Sequence, residues 1–204
     1  MLAETFIELL KPYQNNTLII NELWAEIKVK HSDKKRHYHT LTHLEHLLNE
    51  LSAVKARIKN WEVVLFSLYY HDIVYNPLKD NNEEKSAELA ETRMQSIGIP
   101  ATWIHQCSLQ ILATKKHLPD TNEDTNYFTD ADLSVLGQDW DTYSAYTQAI
   151  RKEYSIYPDL IYNPGRKKVL QHFLKMDRIY KTEYFYQRLE ERAKSNLQRE
   201  LEAL

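Results

Sequence analysis

Glycine is nearly missing from this 204-residue chain, and the three that occur, Gly98, Gly137 and Gly165, stand far apart. Neither a Walker-type phosphate loop nor a GxGxxG dinucleotide loop can be built without clustered glycines, which removes most nucleotide-cradling folds. Cysteine is scarcer still. Cys107 alone allows no intramolecular disulfide and no thiolate zinc cluster. A dominant charge is missing too: 29 acidic and 26 basic side chains leave a net charge of −3, so no strong field favours nucleic acid or an anionic membrane. No apolar run reaches the length of a membrane span, and the opening MLAETFIELLKPYQ lacks a basic region followed by a long apolar stretch. These absences predict a cytosolic protein.

What remains is a 43% hydrophobic chain, long enough to bury roughly 70% of the surface its unfolded form exposes. One domain over residues 1–204 is expected. Few glycines and only six prolines point to helices, and the apolar spacing agrees. After Thr17 as N-cap, Ile20, Leu23, Trp24 and Ile27 recur at helical intervals. Past the polar stretch His31 to Lys35, Leu44, Leu47, Leu48, Leu51, Val54 and Ile58 share one side of a second helix. Asn60 is placed to cap a third, whose run from Val63 to Tyr70 is apolar on all faces and belongs in the domain centre. A fourth helix over 83–97 stops at Gly98 as a C-cap glycine does. Further helices are predicted over 103–115, 128–136 and 141–154. Tyr157, Pro158, Asn163, Pro164 and Gly165 predict a structured loop before helix returns in the last 39 residues. The expected fold is an all-α, single-domain helical bundle, with a core over about 37–137 on which the C-terminal helices 141–204 pack.

Nine histidines leave imidazole and carboxylate as the metal ligands on offer. In RHYHTLTHLEHLL, read as helix, His39, His43 and His46 fall at spacings that share a face, and His43 lies nearest the leucine stripe while His46 turns toward solvent. Such a cluster reads equally as a solvated face or a metal site. His71 and Asp72 end the apolar run FSLYYHD. An ionised Asp there costs several kcal/mol unless a cation or several donors compensate it; the competing reading is a helix-terminal His beside a loop Asp. A third segment, FTDADLSVLG, supplies Asp130 and Asp132. On a helix over 128–136, Phe128, Ala131, Val135 and Leu136 form an inward stripe whose missing position is Asp132, whereas Asp130 falls with Leu133 and Ser134 on a neighbouring face. There Asp130 serves a helix N-terminus or holds a ligating histidine from outside. Two or more imidazoles and two carboxylates from separate helices are a set that divalent metals accept.

The order His, then His-Asp, then Asp resembles the HD superfamily of metal-dependent phosphohydrolases, and YHTLTH at Tyr38 to His43 looks like the YHNxxH signature of cyclic-nucleotide phosphodiesterases. The segments YHDIVYNP, NEEKSAELA, ILATKKH, TDADLSVLG, IRKEYSIYP, GRKKVLQHFL and ERAKSNLQREL resemble a bacterial family of uncharacterised HD-domain proteins over nearly the whole chain. The resemblance implies His43, His71, Asp72 and Asp132 as metal set and His39 as general acid, with Asp72 bridging two ions or orienting the attacking water. It implies a divalent cofactor (Mn, Fe, Mg, Co, Ni or Zn) and hydrolysis of a small, nucleotide-like phosphomonoester or phosphodiester by metal-activated water. A helical di-iron oxygenase and a regulatory nucleotide-binding module are the alternatives. The expected partner is a small phosphorylated substrate, with no nucleic acid and no membrane, for a monomer or homodimer.

Four further residues are candidate substrate contacts. His117, after ILATKK, reads equally as a loop histidine, a phosphate contact or a second-metal ligand, while Arg151, Tyr154 and Arg166 flank the Pro/Gly loop with Tyr157. Guanidinium forks suit phosphate oxygens and tyrosine faces suit bases, yet the same residues are ordinary on surface helices. Glu83 is a candidate supporting carboxylate, or simply a first-turn acid favoured by the helix dipole.

Overall fold

Helix forms wherever apolar side chains recur at three- and four-residue intervals, and no strand forms. In this computed structural model, which describes residues 1–204, the helices are α1 (Leu2–Leu10), α2 (Thr17–His31), α3 (Leu41–Ala53), α4 (Trp61–Tyr70), α5 (Asn82–Ser96), α6 (Ala101–Ala113), α7 (Glu123–Asp132), α8 (Trp140–Glu153), α9 (Asp159–Leu174) and α10 (Glu183–Ala203). Short 3-10 turns follow α3 at Lys55–Arg57 and α7 at Leu133–Gly137. The chain divides into two compact units, Met1–Thr129 and Asp130–Leu204, and the division falls within α7. No helix is long and apolar enough to cross a membrane.

The first unit is organised around α4, which touches α1, α3, α5 and α6. Every side chain from Val63 to Tyr70 is buried, as the all-round apolar run requires. Its start is fixed twice: the Asn60 side chain accepts from Val63 N, and buried Asp124 accepts from Lys59 N and Asn60 N at 2.9 and 2.8 Å. Inside, Ser67 donates to Gln110 Oε1 at 2.7 Å and Tyr69 Oη to the Leu2 carbonyl at 2.8 Å. Both thereby satisfy polar atoms that would be costly to bury alone. Gly98, at φ 76°, closes α5: its N–H meets Gln95 O and the next N–H, of Ile99, reaches back to Met94 O, both at 3.0 Å. This is the paired-bond stop that a left-handed residue makes possible.

In the second unit, α10 lies against the 3-10 turn and against α9. A Cβ on Gly137 would fall 2.6 Å from Leu189 Cβ and 2.7 Å from the Leu189 carbonyl, so the approach of α10 requires glycine there. Asn196 donates to the carbonyls of Leu136 and Gln138, at 2.9 Å each, and seals the same contact.

Several boundaries differ from those read in sequence, and the helix expected over the last 39 residues is interrupted between Leu174 and Glu183. Asn16, rather than Thr17, caps α2 by accepting from Leu18 N. Val54 and Ile58 are buried but lie beyond α3. The helix expected over 128–136 starts five residues earlier and tightens to 3-10 after Asp132. Finally, Pro164 and Gly165 sit inside α9 instead of in a loop. Pro158 precedes the first turn, and the carbonyl that Pro164 leaves without a donor belongs to Leu160, a residue 87% exposed and therefore open to water.

Candidate metal centre

Three imidazoles of the first unit converge on one carboxylate. Asp72 Oδ2 lies 3.0 Å from His71 Nε2, 3.7 Å from His43 Nε2 and 4.0 Å from His39 Nε2. The nitrogens of His43 and His71 are themselves 3.2 Å apart. His71 follows the last turn of α4 directly and donates its Nδ1 proton to Leu68 O at 3.0 Å. A carbonyl only accepts, so Nδ1 carries the proton and Nε2 is left to face Asp72 and His43. This is how metal-ligating histidines are oriented, with one ring nitrogen anchored to an acceptor and the other aimed at the ion. Without a proton or a cation between them, the lone pairs of Nε2 and the carboxylate repel.

His43 occupies the inward side of α3 beside Leu44 and Leu47, while His46 one turn later is exposed; the register predicts both. His39 does not share that helix. Thr40, in extended conformation, precedes Leu41, and Thr40 N bonds to Tyr38 O at 2.7 Å, so the segment carrying His39 turns before α3 begins. Its ring still reaches Asp72, braced against Tyr75 with centroids 4.2 Å apart. Tyr38 backs His43 at 4.9 Å and Phe128 backs His71 at 5.7 Å. Burial alone would raise the Asp72 carboxyl, but the rings of His71, His39 and His43 outweigh it and hold the acid well below the ordinary carboxylate range. The centre thus brings an ionised oxygen within 4.0 Å of three ring nitrogens.

Asp132 is the last residue of α7, half-buried and in helical conformation. It stands one turn along α7 from Phe128, on the same face. Asp130 is fully buried and committed elsewhere: its oxygens accept from Lys181 N at 2.9 Å and from both the N–H and the hydroxyl of Thr182 at 2.7 Å. Thr182 is the N-cap of α10, so Asp130 serves a helix N-terminus, one of the two roles its face implied. Burial pushes the Asp130 carboxyl up and the Lys181 ammonium down, while their ion pair at 3.3 Å pulls both back.

The remaining candidates are engaged locally. Arg151 donates to Asp159 Oδ1 and to the carbonyls of Tyr154 and Tyr157, closing the turn between α8 and α9, with Tyr154 stacked on Tyr157 at 6.3 Å. Arg166, a candidate phosphate contact, lies within α9, buried, with Nε and Nη2 forked onto Glu200 at 2.7 and 2.9 Å. Glu83 is in the first turn of α5, 3.9 Å from Lys115 Nζ. His117 holds a left-handed φ of 52° where its N–H returns to Ala113 O.

Sequence reasoning missed Arg36, Lys181 and His31. Arg36 adjoins the histidine run and had that signal alone; a buried lysine in a loop and a buried histidine ending α2 carry none. His31 is 1% exposed, donates Nδ1–H to Ile27 O at 2.9 Å and leaves Nε2 without a hydrogen-bond partner. Burial pushes its imidazole down to about 3, against the pull of the Ile27 carbonyl. The unfolded chain therefore takes up a proton below about 6.5 that the folded chain refuses until about 3, and stability falls as pH drops across that window. Between pH 7 and 5 the native protein is expected to lose about 2 kcal/mol that a His31→Leu variant does not lose. Chemical denaturation at the two pH values measures this, and equal losses in both proteins would contradict it.

Comparisons of the chain with family models, with curated proteins and with solved structures each find no match.

Proposed function

We propose that the converging imidazoles and carboxylates hold a divalent metal ion and that the protein is a metal-dependent phosphohydrolase acting on a small, nucleotide-like phosphoester. The observation that carries this reading is the meeting of Asp72 Oδ2 with three imidazole nitrogens within 4.0 Å. In this reading His43 and His71 each offer a ring nitrogen and Asp72 its oxygen, and Asp132 is the further ligand that the resemblance to HD phosphohydrolases implies. The register of α7, with Asp132 one turn from Phe128 on the same face, supports that assignment.

The chemistry such an ion supplies is a water ionised near neutral pH and relief of the charge that develops at phosphorus. The chain does the rest. Leu68 O fixes the His71 tautomer, and Asp72, held ionised, orients the attacking water. In this reading His39, partly exposed at 18% and 4.0 Å from Asp72 Oδ2, protonates the leaving oxygen. Arg151 and Arg166, whose forks are occupied, are not carried into the substrate site.

The test is metal analysis of purified protein with a phosphate-release screen over nucleotides, with and without Mn²⁺, Fe²⁺, Co²⁺ and Mg²⁺. Bound metal and metal-dependent phosphate release are expected. Oxygen consumption without phosphate release would replace hydrolysis by oxygenation. For His39→Ala, metal is retained, while turnover of substrates with poor leaving groups falls by about 10²–10⁴ and that of an activated aryl phosphate far less. Equal losses on both substrates would remove His39 from the proton-transfer step.

A further inference from the structure

The loops that carry the candidate site are two irregular segments, residues 32–40 between α2 and α3 and residues 71–81 between α4 and α5. No strand pairing or shared helix sets their spacing. Arg36 joins them. Its guanidinium, in a residue 8% exposed, donates Nη1 to Asp72 O at 2.6 Å and to His39 O at 3.2 Å, and Nη2 to Ile73 O at 3.0 Å. The Tyr75 ring lies 5.5 Å from the guanidinium carbon and stacks in turn on His39.

We propose that Arg36 is a positioning residue that sets the separation of His39 from Asp72 by clamping the backbones on which both are carried. The proposal rests on the metal-centre reading of that site. One nitrogen bridging the carbonyls of His39 and Asp72 couples the segment that carries Arg36 to a residue 36 positions further along the chain. Arginine is required because its planar fork reaches acceptors in fixed directions, while the charge stays on at all working pH values; an ammonium is a point donor on a flexible stem. Through these three bonds Arg36 acts on the main chain that carries His39 and Asp72. A structural anchor elsewhere in the protein would change stability without changing the geometry at the metal.

The experiment titrates Co²⁺ into wild type, Arg36→Lys and Arg36→Ala, reading the visible absorption of the bound ion, its affinity and the melting temperature of each protein. Wild type is expected to bind with a defined spectrum. Arg36→Lys, which keeps the positive charge and the folded helices, is expected to lose about 10–100-fold in affinity, as changes outside the ligand set do, with an altered spectrum. In Arg36→Ala, millimolar methylguanidinium is expected to restore affinity and spectrum where sodium chloride at the same ionic strength does not. Absence of Co²⁺ binding by wild type would overturn the metal-centre reading and the positioning role with it. Wild-type binding, with unchanged affinity and spectrum in both variants, would overturn the positioning role alone, even if the variants melt earlier.

Discussion

Asp72→Asn and His71→Ala, made separately, are expected to strip the divalent ion and reduce phosphate release to background while leaving helical circular dichroism largely intact. Asp72 Oδ2 is the point on which His71, His43 and His39 converge, so an amide there replaces the ionised oxygen at their meeting point with a weaker ligand. His71→Ala removes the nitrogen that Leu68 O aims at the same point. The loss in affinity should exceed the 10–100-fold typical of groups that merely orient ligands. Helical content survives because α4 is held by eight consecutive buried side chains, Val63 to Tyr70, that neither change touches. Metal content and activity are measured on the same preparation. Unchanged metal in either variant would remove that residue from the ligand set.

The second large effect separates the two acids of FTDADLSVLG. Asp132→Asn is expected to lose tight metal binding with little change in stability, because Asp132 is half-buried at the end of α7. Asp130→Asn is expected to do the reverse. Asp130 accepts three hydrogen bonds from Lys181 and Thr182 and faces a Lys181 side chain that is 4% exposed. An amide nitrogen there would confront donors with a donor and take from a buried ammonium its nearest counter-charge, leaving only Asp132 and Glu190 to act on it, a change worth up to about 3–5 kcal/mol. Thermal unfolding and metal occupancy together decide it. If Asp130→Asn strips the ion from a protein as stable as wild type, while Asp132→Asn keeps it, the assignments are reversed.

How far the sequence discloses this arrangement depends on whether a residue lies in a periodic pattern. The all-round apolar run of α4 and its Asn60 cap are legible, and so is the glycine stop after α5, because each rests on local chemistry. His43 is legible by its place beside the leucine stripe. His39 is legible as a candidate but not in its position, since nothing in YHTLTH shows that the chain turns at Thr40 before α3 starts. The helical face that singles out Asp132 holds only to the end of α7; beyond it the 3-10 turn breaks the assumed register of Val135 and Leu136. Pro164 and Gly165 mislead, because an exposed helix tolerates a proline whose orphaned carbonyl faces water. Lys181 is invisible beforehand and Arg36 is marked only by the histidine run it adjoins: a buried cation in an irregular segment follows no period, and its acceptors are main-chain carbonyls and distant acids.

The most direct test of a divalent-ion centre is a calorimetric titration of Mn²⁺ into chelator-stripped protein, alongside the His43→Ala/His71→Ala double variant. Wild type should show saturable binding of at least one ion, and the double variant, folded and helical, should show none. Absence of binding by wild type, or equal binding by both proteins, would mean that the meeting of His43, His71 and Asp72 is a hydrogen-bonded cluster and not a metal site.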